Sequence, residues 1–294
     1  MRSCVALILS CAACGGGDPP ATDAPASHDA ADPDAAPDAA TTERLTIPFA
    51  ARVNGAPFAC GQTYAGVGST AAAYTAIDFR FFVHDVTLVT ADGDVPLTLD
   101  VDAFQTADGI ALLDFENGGT GCQMGTVATH PALTGTVPIG TVFTGMRLTI
   151  GIPFAKNHLD ATLALPPLNV PAMFWAWSSG YKFIKADGVA NGSGFSLHVG
   201  STGCSATGSM APAQPCTSPN TIPVTLTGLT PTSTIVADVG RLLTDVDITT
   251  NTMDTAPGCM SFPGDPECNT VMPKLALPYG AFPAEPQQRF LSIE

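Results

Sequence analysis

The sequence has few cations. Lys and Arg together number 11 against 26 Asp and Glu, and the formal net charge is -15 at pH 7. Proteins that bind nucleic acids neutralise phosphates with a basic surface, so this composition argues against a nucleic-acid partner. The same shortage of cations disfavours electrostatic docking to anionic lipid.

Uninterrupted apolar runs and familiar catalytic motifs are also missing. The most apolar stretch, residues 161–177, contains three prolines and is poorly suited to a lipid-exposed helix. The chain has no G-x-S-x-G, H-E-x-x-H, G-x-G-x-x-G or G-K-[ST] motif, and no C-x-x-C-H haem attachment. These absences argue against an enzyme, although a hydrolase with a dyad outside any motif remains an alternative.

The first residues predict export. Residues 1–14 resemble a lipoprotein-type signal segment, in which Cys14 precedes three glycines and is the expected lipidation site, with Cys11 as the competing site. Residues 15–43 form an acidic linker rich in Ala, Pro and Asp, which we expect to be disordered. Residues 44–294 form the folded domain. We expect a protein of the periplasm or cell envelope, held at the outer membrane only by its lipid; a soluble secreted protein is the alternative.

Six cysteines lie in the expected folded domain. An even number in an exported protein favours three disulfides, although six cysteines allow 15 connectivities. The short spacings favour Cys204–Cys216 and Cys259–Cys268, which leaves Cys60–Cys122. None of these pairs has the C-x-x-C spacing of a zinc or redox site.

The domain is predicted to be mainly β. Apolar alternation and β-branched runs predict short strands, and the Asn54-Gly55 pair predicts a hairpin turn. Short strands with turn signals and no alternation of strands with helices favour an antiparallel β-sandwich with disulfide-linked loops. The expected strands cover residues 45–53, 77–89, 95–99, 110–115, 148–152, 173–177, 195–199, 222–226 and 234–239, and residues 239–246 are expected to form a brief helix.

Histidine and tryptophan are the remaining residues with distinctive chemistry. The domain has four histidines, and the chain has two tryptophans, Trp175 and Trp177, which a strand would place on one face. A lone strand histidine is usually structural, and a tryptophan pair is usually part of a core or an edge. Several histidines in a chain this poor in cations nevertheless make a metal site worth testing.

Seven segments together resemble the MbnP family, also described as metallo-mystery pair proteins with a four-Cys motif. The W-x-W motif within its long flanking string is the most specific feature. The resemblance runs from about residue 45 to the end of the chain. The segments are residues 79–86 (FRFFVHDV), 151–154 (GIPF), 157–160 (NHLD), 173–183 (MFWAWSSGYKF), 197–204 (LHVGSTGC), 258–261 (GCMS) and 265–268 (DPEC).

This resemblance implies a copper protein whose site depends on a modified tryptophan. MbnP-like proteins are exported, bind Cu(I), and are paired with an MbnH-like dihaem protein of the bacterial cytochrome c peroxidase/MauG superfamily. That partner oxidises the first Trp of the motif to kynurenine, which here implies Trp175 as the modified residue and Trp177 as its unmodified neighbour. The protein would then be the partner's substrate and not itself an enzyme.

Imidazole suits Cu(I), and two neutral histidines can form a near-linear site. We rank His84 and His198 first as ligands because both lie in expected strands within family-like strings. His158 follows, and His130 is last. Met173 and Met260 are possible soft ligands, but core packing is the more common role of methionine.

A different class of function fits the same composition. The protein could be a cell-surface adhesion or carbohydrate-binding β-sandwich in which the tryptophans form a platform for sugars. Sugar-dependent tryptophan fluorescence without copper binding would distinguish this alternative from the copper-binding prediction.

Overall fold

A computed structural model describes residues 41–176, 178–205, 212 and 214–294. The described part of the chain is mainly β, as expected. Within these ranges, no helix combines the length and the apolar character needed to span a bilayer. The predicted signal segment and Cys11, Cys14 and Trp177 lie outside the described residues, as does nearly all of the linker.

The strands and short helices follow one another along the described ranges. Their bounds are β1 Thr42–Val53, β2 Ala56–Pro57, β3 Thr63–Val67, β4 Ala72–Thr90, β5 Gly93–Pro96, β6 Thr98–Leu99, β7 Ala111–Asp114, β8 Ala132–Pro138, β9 Phe143–Ile150, α1 Phe154–Asn157, a 3-10 turn Pro171–Met173, β10 Phe174–Ala176, β11 Gly180–Ala190, β12 Ser193–Gly200, β13 Ile222–Thr227, β14 Ile235–Asp238, α2 Val239–Leu243, β15 Gly258–Cys259, α3 Cys268–Lys274 and β16 Leu291–Ile293.

The conformation of the turn after β1 is determined by its local sequence. Asn54 and Gly55 have φ values of 51° and 79°, in the left-handed region that these two residue types tolerate. The chain therefore reverses within two residues, and Val53 of β1 pairs with Ala56 of β2. This confirms the predicted hairpin turn.

The strands form two mixed sheets. One sheet has the order β16-β14-β1-β8-β6, with β2 beside β1, and we call it the small sheet. The other, the large sheet, has the order β13-β9-β4-β11-β12-β15, with β3, β5 and β7 also on β4 and β10 on β11. Most pairs are antiparallel, but β1–β14 and β12–β15 are parallel. The β-sandwich prediction is confirmed, except that both sheets are mixed rather than purely antiparallel.

The main core lies between the two sheets. Phe49 of the small sheet contacts Phe81 of the large sheet with ring centroids 6.2 Å apart, and Phe290 contacts Phe81 at 5.2 Å. These residues belong to one continuous cluster that draws on strands of both sheets. Full burial of an aromatic or branched side chain contributes about 1.5–3 kcal/mol, so this cluster is the main source of stability.

The large sheet is also covered on its outer face. Successive residues of a strand point to opposite faces, so Phe81 faces the main core while Phe82 faces outward. Phe82 nevertheless has no exposed surface, because it packs in a second apolar cluster with Met173, Tyr181 and Phe183. The polar residues of β4, β11 and β12 that are buried as well, and that position the candidate site, are Asp78, Arg80, Lys185 and His198.

The structure contains the two disulfides that the spacing favoured and the third pair that they left. They are Cys60–Cys122, Cys204–Cys216 and Cys259–Cys268. The last of them ties β15 to α3 and holds the segment between them beside the large sheet.

Three predicted boundaries need correction. Residues 95–99 form two strands, because β5 pairs with β4 in the large sheet and β6 pairs with β8 in the small sheet. Met173 closes the 3-10 turn, so the strand predicted for residues 173–177 begins at Phe174. Residues 42 and 43, assigned to the linker, belong to β1 because they pair with β8.

Candidate metal centre

A bulge at the edge of the large sheet positions Trp175. In the pairing of β10 with β11, Phe174 lies opposite Tyr181 and Ala176 lies opposite Gly180. Trp175 is therefore an extra residue between two paired positions. Bulges of this kind redirect a side chain relative to the regular alternation of a strand.

The Trp175 ring packs across the end of β12. Its centroid lies 6.2 Å from that of His198, and the two rings are inclined by 55°. A Cβ placed on Gly200 would lie only 2.7 Å from Trp175 Cζ3, so this approach requires glycine. Phe262 packs against the indole with centroids 5.6 Å apart. The indole is thus held between β12 and the segment that follows β15.

That segment is fixed to β12 by the pairing of β15 with β12 and by one serine. The Ser261 hydroxyl donates to the carbonyl oxygen of His198 at 2.9 Å and accepts from the Gly200 N–H at 3.3 Å. Ser261 is fully buried, and the Cys259–Cys268 disulfide closes the same segment. The position of Phe262 over Trp175 therefore follows from covalent and hydrogen-bond constraints.

His198 lies at one end of a chain of buried and half-buried charged residues that crosses three strands. Its Nε2 lies 2.7 Å from Asp187 Oδ1, and Asp187 Oδ2 lies 2.5 Å from Lys185 Nζ. Lys185 also contacts Asp78, and Arg80 Nε donates to Asp78 Oδ1 at 2.8 Å. The register explains this contact sequence, because His198 pairs with Lys185 and Lys185 pairs with Arg80.

Burial controls the protonation of this group. It lowers the pKa of His198 despite the opposing effect of Asp187, which favours a neutral imidazole. Burial acts to raise the pKa of Asp187, but the hydrogen bond with His198 and the charge and hydrogen bond of Lys185 outweigh it and lower that pKa. Burial, together with the charge of Lys185, lowers the pKa of Lys182 to about 8. The site thus favours a carboxylate beside a neutral histidine.

The other ring nitrogen of His198 is available to a metal. Nδ1 is buried and has no hydrogen-bond partner within the described ranges. A buried nitrogen without a partner costs free energy, and such groups occur at functional sites. A neutral imidazole nitrogen is a ligand that suits copper, so the donor at this position fits the metal that the resemblance implies.

His84 lies elsewhere on the same face. His198 lies opposite Lys185 of β11, and Lys185 lies opposite Arg80 of β4. His84 is four residues further along β4 than Arg80. Four residues correspond to about 13 Å along the strand, and two strand spacings add about 10 Å across the sheet. Two nitrogens that bind one metal ion lie roughly 4 Å apart, since each bond is about 2.0 Å long. The register therefore does not bring His84 and His198 to one ion.

His84 is buried, and its ion-pair partner is Asp85. Asp85 Oδ2 lies 2.9 Å from its Nδ1, and its Nε2 is buried without a partner in the described part of the chain. Burial lowers the pKa of His84, and Asp85 partly opposes this shift.

His158 is placed closer to the Trp175 region. It follows α1, is buried, and its Nε2 lies 3.2 Å from Asn157 Nδ2 and 3.5 Å from Cys216 Sγ. Asn157 Nδ2 also donates to Ser201 Oγ at 3.2 Å, just beyond the end of β12. This network ties His158 to the end of β12 that carries His198.

His130 and Met173 have packing contacts in the described ranges, and the cysteines near His158 and Glu116 are in disulfides. His158 forms a compact group with Cys204 and Cys216, and Glu116 forms another with Cys60 and Cys122, but all four sulfurs are in disulfides. His130 stacks on Phe104 with ring centroids 4.9 Å apart. Met173 belongs to the outer apolar cluster, and Met260 is half-buried beside Ser261.

Sequence reasoning missed three residues that shape the site. Asp187 and Lys185 were not singled out, although two lysines and an aspartate within an apolar strand are unusual in a chain with 11 cations. Phe262 was missed because no local pattern indicates that it packs against Trp175.

These features define a disulfide-linked β-sandwich protein with a histidine–tryptophan pair on the outer face of one sheet. The MbnP family model matches residues 42–261, and the chain belongs to the MbnP family. The structure is similar to that of MbnP from Methylosinus trichosporium, with a TM-score of 0.77 and 28% identity over 86% of this chain and 99% of that one. No protein with a curated description matches the chain. The resemblance seen in the sequence is confirmed.

Proposed function

We propose that this protein binds Cu(I) in the periplasm or cell envelope and serves copper homeostasis. The metal site would comprise His198 and an oxidised Trp175. The observation that carries this proposal is the packing of Trp175 against His198, whose Nδ1 is buried and without a hydrogen-bond partner in the described residues. Membership of the MbnP family supports it.

Copper binding by this pair requires a change in the indole. An intact tryptophan offers a metal only an N–H donor and a π face. Kynurenine has an aromatic amine and a ketone, and either can ligate the metal or hydrogen-bond a ligand. Oxidation of Trp175 would therefore complete the site, and His158, at the same end of β12, is a candidate for a further ligand.

The oxidation needs a partner. Cleavage of the indole C2–C3 bond adds one oxygen atom to each carbon, and two molecules of hydrogen peroxide would supply both atoms while releasing two molecules of water. Hydrolysis then removes the formyl group as formate and leaves the amine. We propose an MbnH-like dihaem protein as the catalyst that uses the peroxide, with the present protein as its substrate rather than as an enzyme. The predicted lipid on Cys14 would hold the protein at the outer membrane.

Cu(I) titration against a competing chelator tests this proposal, using protein produced with its native partner. We expect His198→Ala to abolish copper retention while circular dichroism shows an unchanged fold. His84→Ala is the matched control, since it removes a buried histidine from the same sheet face away from Trp175. Wild-type copper retention in His198→Ala, or its loss only in His84→Ala, would overturn the proposed site.

The carbohydrate-binding alternative predicts a different result in the copper titration and in tryptophan fluorescence. Trp175 is half-buried between β12 and Phe262, whereas a sugar platform needs an open ring face. A protein that binds no copper but shows sugar-dependent tryptophan fluorescence would favour this alternative.

A further inference from the structure

The contact between His198 and Asp187 determines which nitrogen of the imidazole carries hydrogen. A neutral imidazole has one N–H donor and one acceptor nitrogen, and a carboxylate can only accept. Asp187 Oδ1 lies 2.7 Å from His198 Nε2, so this nitrogen must donate. The hydrogen of neutral His198 is therefore on Nε2, and Nδ1 keeps its lone pair.

Asp187 is itself prevented from turning away. Its second oxygen is 2.5 Å from Lys185 Nζ, and Lys185 is nearly fully buried. On its other side Lys185 contacts Asp78, whose carboxylate is also held by Arg80. Both oxygens of Asp187 thus have a partner, one on the same strand (Lys185) and one on the neighbouring strand β12 (His198).

We propose that Asp187 is a positioning residue that fixes His198 with hydrogen on Nε2 and so makes Nδ1 the metal-binding atom. The choice of Nδ1 as ligand rests on the proposed copper site, whereas the choice of tautomer does not. Carboxylates that accept from a metal-bound histidine orient the ring in this way in many metal sites, and their removal lowers metal affinity about 10- to 100-fold.

Asp187→Asn is the informative variant because of Lys185. The lysine ammonium needs an acceptor, so the amide oxygen of Asn turns towards Lys185 and its NH2 group faces His198. Nε2 must then accept, and the hydrogen moves to Nδ1. The control is Asp78→Asn, which changes the other carboxylate that contacts Lys185; the side-chain partners of Asp78 among the described residues are Arg80 and Lys185, not His198.

Long-range proton–nitrogen NMR of the metal-free protein at alkaline pH distinguishes the tautomers, with His198→Gln identifying the signals. We expect Nδ1 to be the unprotonated nitrogen in the wild type and in Asp78→Asn, and to be protonated in Asp187→Asn. We expect Cu(I) affinity to fall about 10- to 100-fold in Asp187→Asn alone.

A wild-type spectrum with hydrogen on Nδ1, or an Asp187→Asn variant with unchanged tautomer, would overturn the proposal. The wild-type spectrum tests the proposed tautomer even if a variant fails to fold. A wild-type protein that binds no Cu(I) but carries hydrogen on Nε2 would refute the proposed function and still support the role of Asp187.

Discussion

A methyl group at position 200 should displace Trp175 from His198. A Cβ on Gly200 would lie 2.7 Å from both Trp175 Cζ3 and the carbonyl oxygen of Tyr181. Optimal carbon contacts are about 3.5–4.0 Å, so the ring must shift by roughly 1 Å. Overpacking of this kind costs about 1–3 kcal/mol. At about 2–4 °C per kcal/mol for a domain of this size, we expect Gly200→Ala to lower Tm by about 2–12 °C.

Gly194→Ala provides the matched control for this experiment. Gly194 lies on the same strand, and a Cβ there would meet nothing within 4 Å. Thermal unfolding and Cu(I) competition should show wild-type behaviour for Gly194→Ala, and lower stability with weaker copper binding for Gly200→Ala. If Gly200→Ala melts and binds copper like its control, then close packing of Trp175 on β12 does not position the site.

Three further predictions concern the surroundings of the site. Burial raises the pKa of Asp114 to about 7, above the ordinary value of about 3.9. Between these two values the native state binds more protons than the unfolded state, so the free energy of unfolding falls as pH rises from about 4 to 7. This fall is on the order of 4 kcal/mol, and Asp114→Asn should remove it when denaturant unfolding is measured across this pH range. An unchanged pH profile would contradict the raised pKa of Asp114. Phe262→Ala should expose Trp175, shift tryptophan emission to the red and lower stability by about 1 kcal/mol, and unchanged emission would speak against the contact. Replacing both Cys259 and Cys268 by Ser should lower the free energy of unfolding by about 2–4 kcal/mol, where a loss below measurement error would be inconsistent with a structural disulfide.

Local features of the sequence predicted most of the fold. The turn at Asn54-Gly55 requires two residues that tolerate positive φ, and the sequence supplies both. The disulfides Cys204–Cys216 and Cys259–Cys268 join cysteines close in sequence, and the third pair followed from those two. Each of these features depends on neighbours along the chain.

Features that depend on distant contacts were not predictable in the same way. His84 and His198 both lie on strands, but only the register across β11 shows that they are far apart. Trp175 turns towards His198 because of a bulge that the alternation of residues does not reveal. Lys185 and Asp187 resemble surface residues in sequence and are covered only because the large sheet is packed on its outer face.

Peptide mass mapping of protein from its native host tests the central claim most directly. No Lys or Arg lies between Lys156 and Lys182, so trypsin releases residues 157–182 as one peptide containing both tryptophans. Our account predicts that Trp175 carries the mass of kynurenine and that Trp177 is unmodified. Two unmodified tryptophans in protein made together with the dihaem partner would contradict the account.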